Sequence, residues 1–279
     1  MIDPMIESGQ RGIPFVTGTL FVTGTGTGVG KTIVTAALAA LARAAGRRVA
    51  VVKLAQTGVN DGPGSDTPDL ETVTRLSGVT DTHELARFPD PLSPEAAARV
   101  SGLPPVDFGG AAAVITALAA ARDLVLVEGA GGLLVRYDAA GATIADLALT
   151  LDAPALIVTA AGLGTLNHTA LTLESVAARK IRTAGLVIGS WPAQPGLAEL
   201  TNLTDLEVIA GPLAGLLPQG AGALDREAFL SVAMSGLAAE LGGTRQAALN
   251  GRLSDDCRQS TAYKRLPYHL IRRNMVAIT

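Results

Sequence analysis

An α/β domain with a mainly parallel sheet and helices on both faces is what the amino-acid sequence predicts, and three observations carry the expectation. Short β-branched runs alternate with longer alanine-rich stretches in a βαβα order. Several of the short runs are apolar at successive residues (VAVV, LVLV, ALIV, GLVI) instead of alternating, as suits strands covered on both faces. The chain has 279 residues, 48% apolar and 17% charged, enough to bury one sizeable core.

The elements follow in order. A strand is expected at Leu20–Thr23, and an alanine- and leucine-rich helix at Lys31–Ala45. Val49–Lys53 reads as the second strand, and Asp69–Ser77 and Pro94–Ser101 as short helices. The alanine run Ala111–Arg122 predicts a helix leading into a strand at Asp123–Glu128. Thr143–Leu151 is a helix candidate before the strand Ala155–Thr159, and Asn167–Arg182 one before Gly185–Gly189. The Val208-Ile209 pair suggests a last strand at Glu207–Ala210, followed by a helix over Asp225–Leu241. In such sheets ligands gather at the carboxyl ends of the strands.

The two ends depart from this pattern. Residues 1–19 read as an N-terminal extension, 20–243 as the domain, and 244–279 as an appendage holding seven of the 22 basic residues. Five residues, FVTGT, occur twice, at Phe15–Thr19 and Phe21–Thr25. A formal net charge of −3 offers no general attraction to nucleic acid or anionic membranes. No stretch approaches the ~20 apolar residues that span a bilayer, and the N-terminus lacks the apolar core of a signal peptide. The single cysteine, Cys257, excludes an internal disulfide framework, and a cytoplasmic setting is expected.

Gly24-Thr25-Gly26-Thr27-Gly28-Val29-Gly30-Lys31-Thr32 lies between the first strand and the first helix. A glycine-rich turn there points backbone N–H groups inward, and the helix N-terminus adds partial positive charge, so a polyphosphate is well held. Lys31 would reach the β- and γ-phosphates, and the Thr32 hydroxyl would ligate Mg²⁺. Five residues separate Gly24 from Gly30, one more than the usual pattern, because Thr25 stands where the first glycine normally does. No three glycines have the dinucleotide spacing G-x-G-x-x-G. The domain is therefore expected to be P-loop NTPase-like. The FVTGT copy at Phe15 has no GKT after it and carries no such loop.

Other motifs fall at strand ends. Only four lysines occur, at 31, 53, 180 and 264, against eighteen arginines, and Lys53 ends the second strand in VVKLAQTG. A cation there can stabilise charge on a transferred phosphoryl group. LVLVEGAGG ends an apolar strand in Glu128, the place for a Mg²⁺ ligand, with glycines after it that permit close backbone approach. Ser65-Asp66-Thr67-Pro68-Asp69 is acidic, with Asp69 also a candidate helix cap.

Taken together, TGTGTGVGKT, VKLAQTG, a carboxylate followed by Leu before a helix, LVEGAGG and LGTLNHT resemble the dethiobiotin synthetase family of biotin biosynthesis, over about residues 20–241. The resemblance implies a P-loop α/β homodimer that joins CO₂ to the two amines of 7,8-diaminopelargonate and closes a cyclic urea. The co-substrate would be ATP, with CTP or another nucleoside triphosphate as alternatives, and the cofactor Mg²⁺. By position, Thr32, Asp69 and Glu128 resemble the metal ligands, with Asp66 a possible partner of Asp69. Gly28, Val29, Gly30, Lys31, Thr32 and Ile33 resemble the phosphate cradle. Lys31 and Lys53 look like the catalytic pair, while Thr57, Gly131 and Gly132 look like substrate contacts. Asn167 resembles a residue that reaches the substrate carboxylate across the dimer interface. An asparagine that reads adenine in some relatives is Gly189 or Ser190 here, so base contacts would come from Gly189-Ser190 and Leu217-Pro218-Gln219, with relaxed nucleotide choice. Acidic loop residues of many relatives are Gly26 and Gly28 here, and Leu54 replaces a common proline. A partition-type ATPase is the rival, but it needs a second lysine early in the loop, and no lysine precedes Lys31.

Overall fold

The computed structural model describes residues 17–59 and 67–246. Asp66, Cys257, Lys264 and nearly all of the 244–279 appendage lie outside the described residues, as do Phe15 and Val16 of the first FVTGT copy. Nine strands and eight α-helices are described. β1 (Gly18–Gly24) leads into α1 (Lys31–Ala44), then β2 (Val49–Lys53), β3 (Gln56–Thr57) and α2 (Asp69–Ser77). β4 (Thr82–Glu84), β5 (Arg87–Phe88), α3 (Pro94–Ser101) and α4 (Phe108–Ala121) precede β6 (Leu124–Gly132) and α5 (Ile144–Thr150). β7 (Ala155–Thr159), α6 (Thr165–Ala178), β8 (Thr183–Trp191), α7 (Leu197–Ala210), β9 (Gly215–Pro218) and α8 (Arg226–Gly236) complete the order.

Seven strands form one sheet in the order β4-β2-β6-β1-β7-β8-β9, and every pairing in it is parallel. The expected parallel α/β architecture is present. Alternate residues of β1 feed opposite layers: Leu20 and Val22 pack under α1, α2 and α8, while Phe21 faces the layer that includes α4 and α5. Both faces are dry, which is why these strands read as continuous apolar runs.

One expected strand is a helix. Glu207–Ala210 is the last turn of α7, and the edge strand is β9, Gly215–Pro218. A strand there would alternate its faces, but Leu203, Leu206 and Ala210 pack against the core, the i, i+3, i+7 recurrence of a helical face. Val208, whose β-branched side chain prompted the strand reading, is 80% exposed. The three short strands β3, β4 and β5 were not expected either, being too brief to show a pattern. Gly18, the glycine of the first FVTGT copy, opens β1 at a φ of 78°.

Candidate active site

The phosphate loop joins the centre of the sheet to α1. Gly30 caps α1 at a φ of 96°, and no side chain caps the first-turn amides, which leaves them available to an anion. A Cβ on Gly30 would come within 2.5 Å of the Gly189 carbonyl oxygen, and one on Gly189 within 2.2 Å of the Val29 carbonyl oxygen. Loop and β8 therefore touch backbone to backbone. Lys31 folds over the loop and donates from Nζ to the Gly26 carbonyl at 2.9 Å. Burial, then repulsion from Lys53, lowers its ammonium to about 8, against the opposing pull of Glu128 and Asp69.

Strand register builds the charged centre. Lys53 on β2 lies directly beside Glu128 on the adjacent β6, and Val22 of β1 flanks Glu128 on its other side. The Lys53 ammonium donates to Glu128 Oε1 at 2.8 Å and pairs with Asp69 Oδ2 at 2.5 Å. Burial alone would lower the Lys53 pKa, but Glu128 and Asp69 outweigh it and hold the group above the usual lysine range. Thr32 Oγ1 sits 3.0 Å from Asp69 Oδ1 and 2.9 Å from Glu128 Oε1, so one hydroxyl proton faces two carboxylates. Among the described residues no group of three His, Cys, Asp or Glu gathers as a metal cluster. Two carboxylates and a hydroxyl are nonetheless the hard-oxygen set that fits Mg²⁺, which keeps its other positions for water and phosphate.

Asp69 is the first residue of α2 and follows Pro68, the N-cap, so it is not itself the cap. Its backbone N–H donates to the side-chain oxygen of the buried Gln56, 3.0 Å away. Gly131 and Gly132 run along the phosphate loop: Gly132 pairs with Gly24, and a Cβ on Gly131 would lie 3.7 Å from Thr27 Oγ1. Thr57 is half-buried at the end of β3. Ile33 packs towards Gly222. Asn167 projects, exposed, from the first turn of α6.

A cavity of about 270 Å³ adjoins the loop, lined among others by Gly28, Val29, Ser190 and Gln219. Pro218 is exposed beside it, whereas Leu217 is fully buried in the core and offers the cavity no side chain.

A family model described as an AAA domain matches residues 18–217. The chain is 63% identical over 229 residues to the ATP-dependent dethiobiotin synthetase BioD of Frankia casuarinae, covering 82% of this chain and 95% of that one. Against the protein of the same name from Streptomyces coelicolor, identity is 56% over 226 residues, covering 81% and 94%. The chain belongs to the ATP-dependent dethiobiotin synthetase family.

As a dethiobiotin synthetase it is an enzyme, an ATP-dependent ligase of biotin synthesis, as the motifs led one to expect. Solved structures that share the fold include the septum site-determining protein MinD of Pyrococcus horikoshii, at a TM-score of 0.53 and 17% identity over 81% of this chain and 95% of that one. The cell division ATPase MinD of Pyrococcus furiosus has a TM-score of 0.50 and 19% identity, over 81% and 97%. At that identity the likeness is one of architecture alone.

Three residues near the candidate site escaped the sequence reading. Gln56, three positions after Lys53, orients Asp69 and was visible only as part of VKLAQTG. Tyr137 is fully buried, accepts the Ala130 N–H at 2.6 Å, and thereby pins the segment that follows Glu128. Burial pushes its phenol up to about 12. Glu199 lines the cavity from α7, a stretch with no motif to announce it. Among the described residues no helix is long and apolar enough to cross a membrane.

Proposed function

We propose that this ligase carboxylates 7,8-diaminopelargonate with CO₂, available as bicarbonate, and closes the ureido ring of dethiobiotin at the expense of ATP. The observation that carries the reading is the convergence of Thr32, Asp69, Glu128 and Lys53 beside a phosphate loop. In the first step an uncharged substrate amine forms a bond to the carbon of CO₂ and loses a proton, leaving a carbamate. A carbamate oxygen then attacks the γ-phosphorus in line and expels ADP, giving a carbamic-phosphoric anhydride. The second amine attacks the carbonyl carbon, the ring closes, and phosphate departs with the amine's proton.

These steps ask little acid–base work of side chains and much of positioning and charge neutralisation. Lys53 and Lys31 meet the charge on the carbamate and on the transferred phosphoryl group. Gly28, Val29, Gly30, Lys31, Thr32 and Ile33 cradle the triphosphate. A Mg²⁺ ion bound by Thr32, Asp69 and Glu128 would supply charge neutralisation to its oxygens. Thr57, Gly131 and Gly132 hold the diamine, and Asn167 of one protomer reaches the substrate carboxylate in the other protomer of a homodimer. Gly189, Ser190, Leu217, Pro218 and Gln219 line the path of the nucleoside, Gly189 and Leu217 through backbone only. With so few side chains addressing the base, nucleotide choice is relaxed, so CTP and GTP support turnover within about a hundredfold of ATP. The enzyme works in the cytoplasm, as residues 20–243 acting as one synthetase domain.

Incubation with diaminopelargonate, bicarbonate, Mg²⁺ and ATP, followed by mass spectrometry, tests the reading. Dethiobiotin should accumulate with one ADP per turnover. No product, alongside an active control enzyme, would defeat it.

A further inference from the structure

Among the described residues the cavity beside the phosphate loop has one ionisable side chain in its lining, Glu199. Its carboxylate is held in place: Oε2 accepts the Gly196 N–H, the N-cap amide of α7, at 2.9 Å. Oε1 lies 3.3 Å from where a Cβ on Gly162, another lining residue, would stand. It takes part in no hydrogen bond or ion pair among the described residues. One helical turn on, the buried Asn202 donates to the Ala161 and Gly162 carbonyls at 2.8 and 3.0 Å. That wall is thus tied to α7, and its carbonyls are already engaged. A fixed carboxylate oxygen is left to address whatever enters.

The charge pattern decides what that is. The loop side, at Gly28 and Val29, adjoins the amides of α1 and the Lys31 ammonium, which attract phosphate. A carboxylate repels phosphate and accepts hydrogen bonds from neutral donors. The geometry points to Glu199 as a specificity-determining residue that accepts a hydrogen bond from the nucleoside, either from a ribose hydroxyl or from an exocyclic amine of the base. This inference rests on taking the cavity as the nucleoside site. With the amine as the donor, triphosphates that carry one are preferred over those that do not. With a ribose hydroxyl, selection is for ribonucleotides whatever the base.

Steady-state rates with ATP, 2′-deoxy-ATP, 3′-deoxy-ATP and purine riboside triphosphate, which lacks the 6-amine, distinguish the sources in wild type and Glu199→Ala. One analogue should lose about tenfold or more in kcat/KM with wild type. Glu199→Ala should show the same loss with ATP and no further loss with that analogue. Glu199→Gln keeps an acceptor for the Gly196 amide and serves in the same way if the alanine variant fails to fold. An analogue series that falls off equally in wild type and variant, or a wild type indifferent to every analogue, overturns the inference and leaves Glu199 a helix cap. Ser190→Trp, which fills the cavity, isolates the underlying reading. A raised KM for ATP supports the cavity as the nucleoside site, and an unchanged one sinks both.

Discussion

Lys53 is a buried cation that bridges two carboxylates, the buried Glu128 and the partly exposed Asp69. Lys53→Ala should lower kcat by at least about a hundredfold, since a group acting on transition-state charge is lost. Nucleotide affinity, measured by calorimetry, should stay within roughly threefold because the cradle is untouched. A near-wild-type rate would show the role to be misassigned. Lys31 gives a pH prediction. Without nucleotide its ammonium titrates near 8, below the ordinary lysine value of 10.5. Phosphate oxygens against it favour the charged form and raise that value, so binding takes up a proton from about pH 8 upward. Affinity therefore weakens as pH rises from there. Calorimetry in buffers of different ionisation enthalpy should show uptake, and proton release would contradict it. Both lysines were legible in the sequence because each sits in a contiguous motif, in a chain that makes nearly all its other positive charge with arginine. Gln56 and Tyr137 were not, because their work is a contact with a residue distant in sequence.

α7 and β9 show where local pattern runs out. The apolar Leu-Glu-Val-Ile-Ala run has strand-like composition, yet Gly196 and Glu199 start a helix that carries it through to Ala210. Packing of Leu200 and Leu206 overrode the propensity of Val208 and Ile209. That helix supplies the cavity wall through Asn202, whose buried amide holds two carbonyls of the segment after β7. Asn202→Leu should destabilise the protein by about 1–3 kcal/mol, the cost of leaving those carbonyls without their donor. Urea denaturation would report it, and an unchanged midpoint would mean that water replaces the amide. The motif-bearing elements β1, β2, α2, β6 and α6 were all anticipated within a few residues. Glycine, proline and capping residues mark their ends, whereas the cavity is assembled from β7, β8, α7 and β9 and has no single sequence signature.

Assembly of two chains is testable through Asn167, which stands exposed on α6 with no side-chain hydrogen bond among the described residues. In the proposed homodimer Lys53 and Asn167 of one site come from different protomers. Asn167→Ala and Lys53→Ala should each be poorly active alone. After mixing and subunit exchange, activity should return towards roughly a quarter of wild type, because half the dimers are hybrids with one intact site each. No recovery, with exchange verified by mass, would place both residues in the same chain's site. The parallel sheet and its ligand-bearing edge followed from the apolar runs and the motif order. The partner's contribution cannot be read from one chain's pattern, since a surface side chain looks alike whether it meets water or a second copy.

The contact between Gly30 and Gly189 also limits how this enzyme can be redesigned. Either position tolerates a side chain only if the strand end and the loop move apart together, and the phosphates would then lose their cradle. An asparagine at 189 would meet the Val29 carbonyl oxygen before it could reach a base. With the cavity taken as the nucleoside site, as proposed above, changes of nucleotide preference fall to Ser190, Gln219 or Glu199 instead.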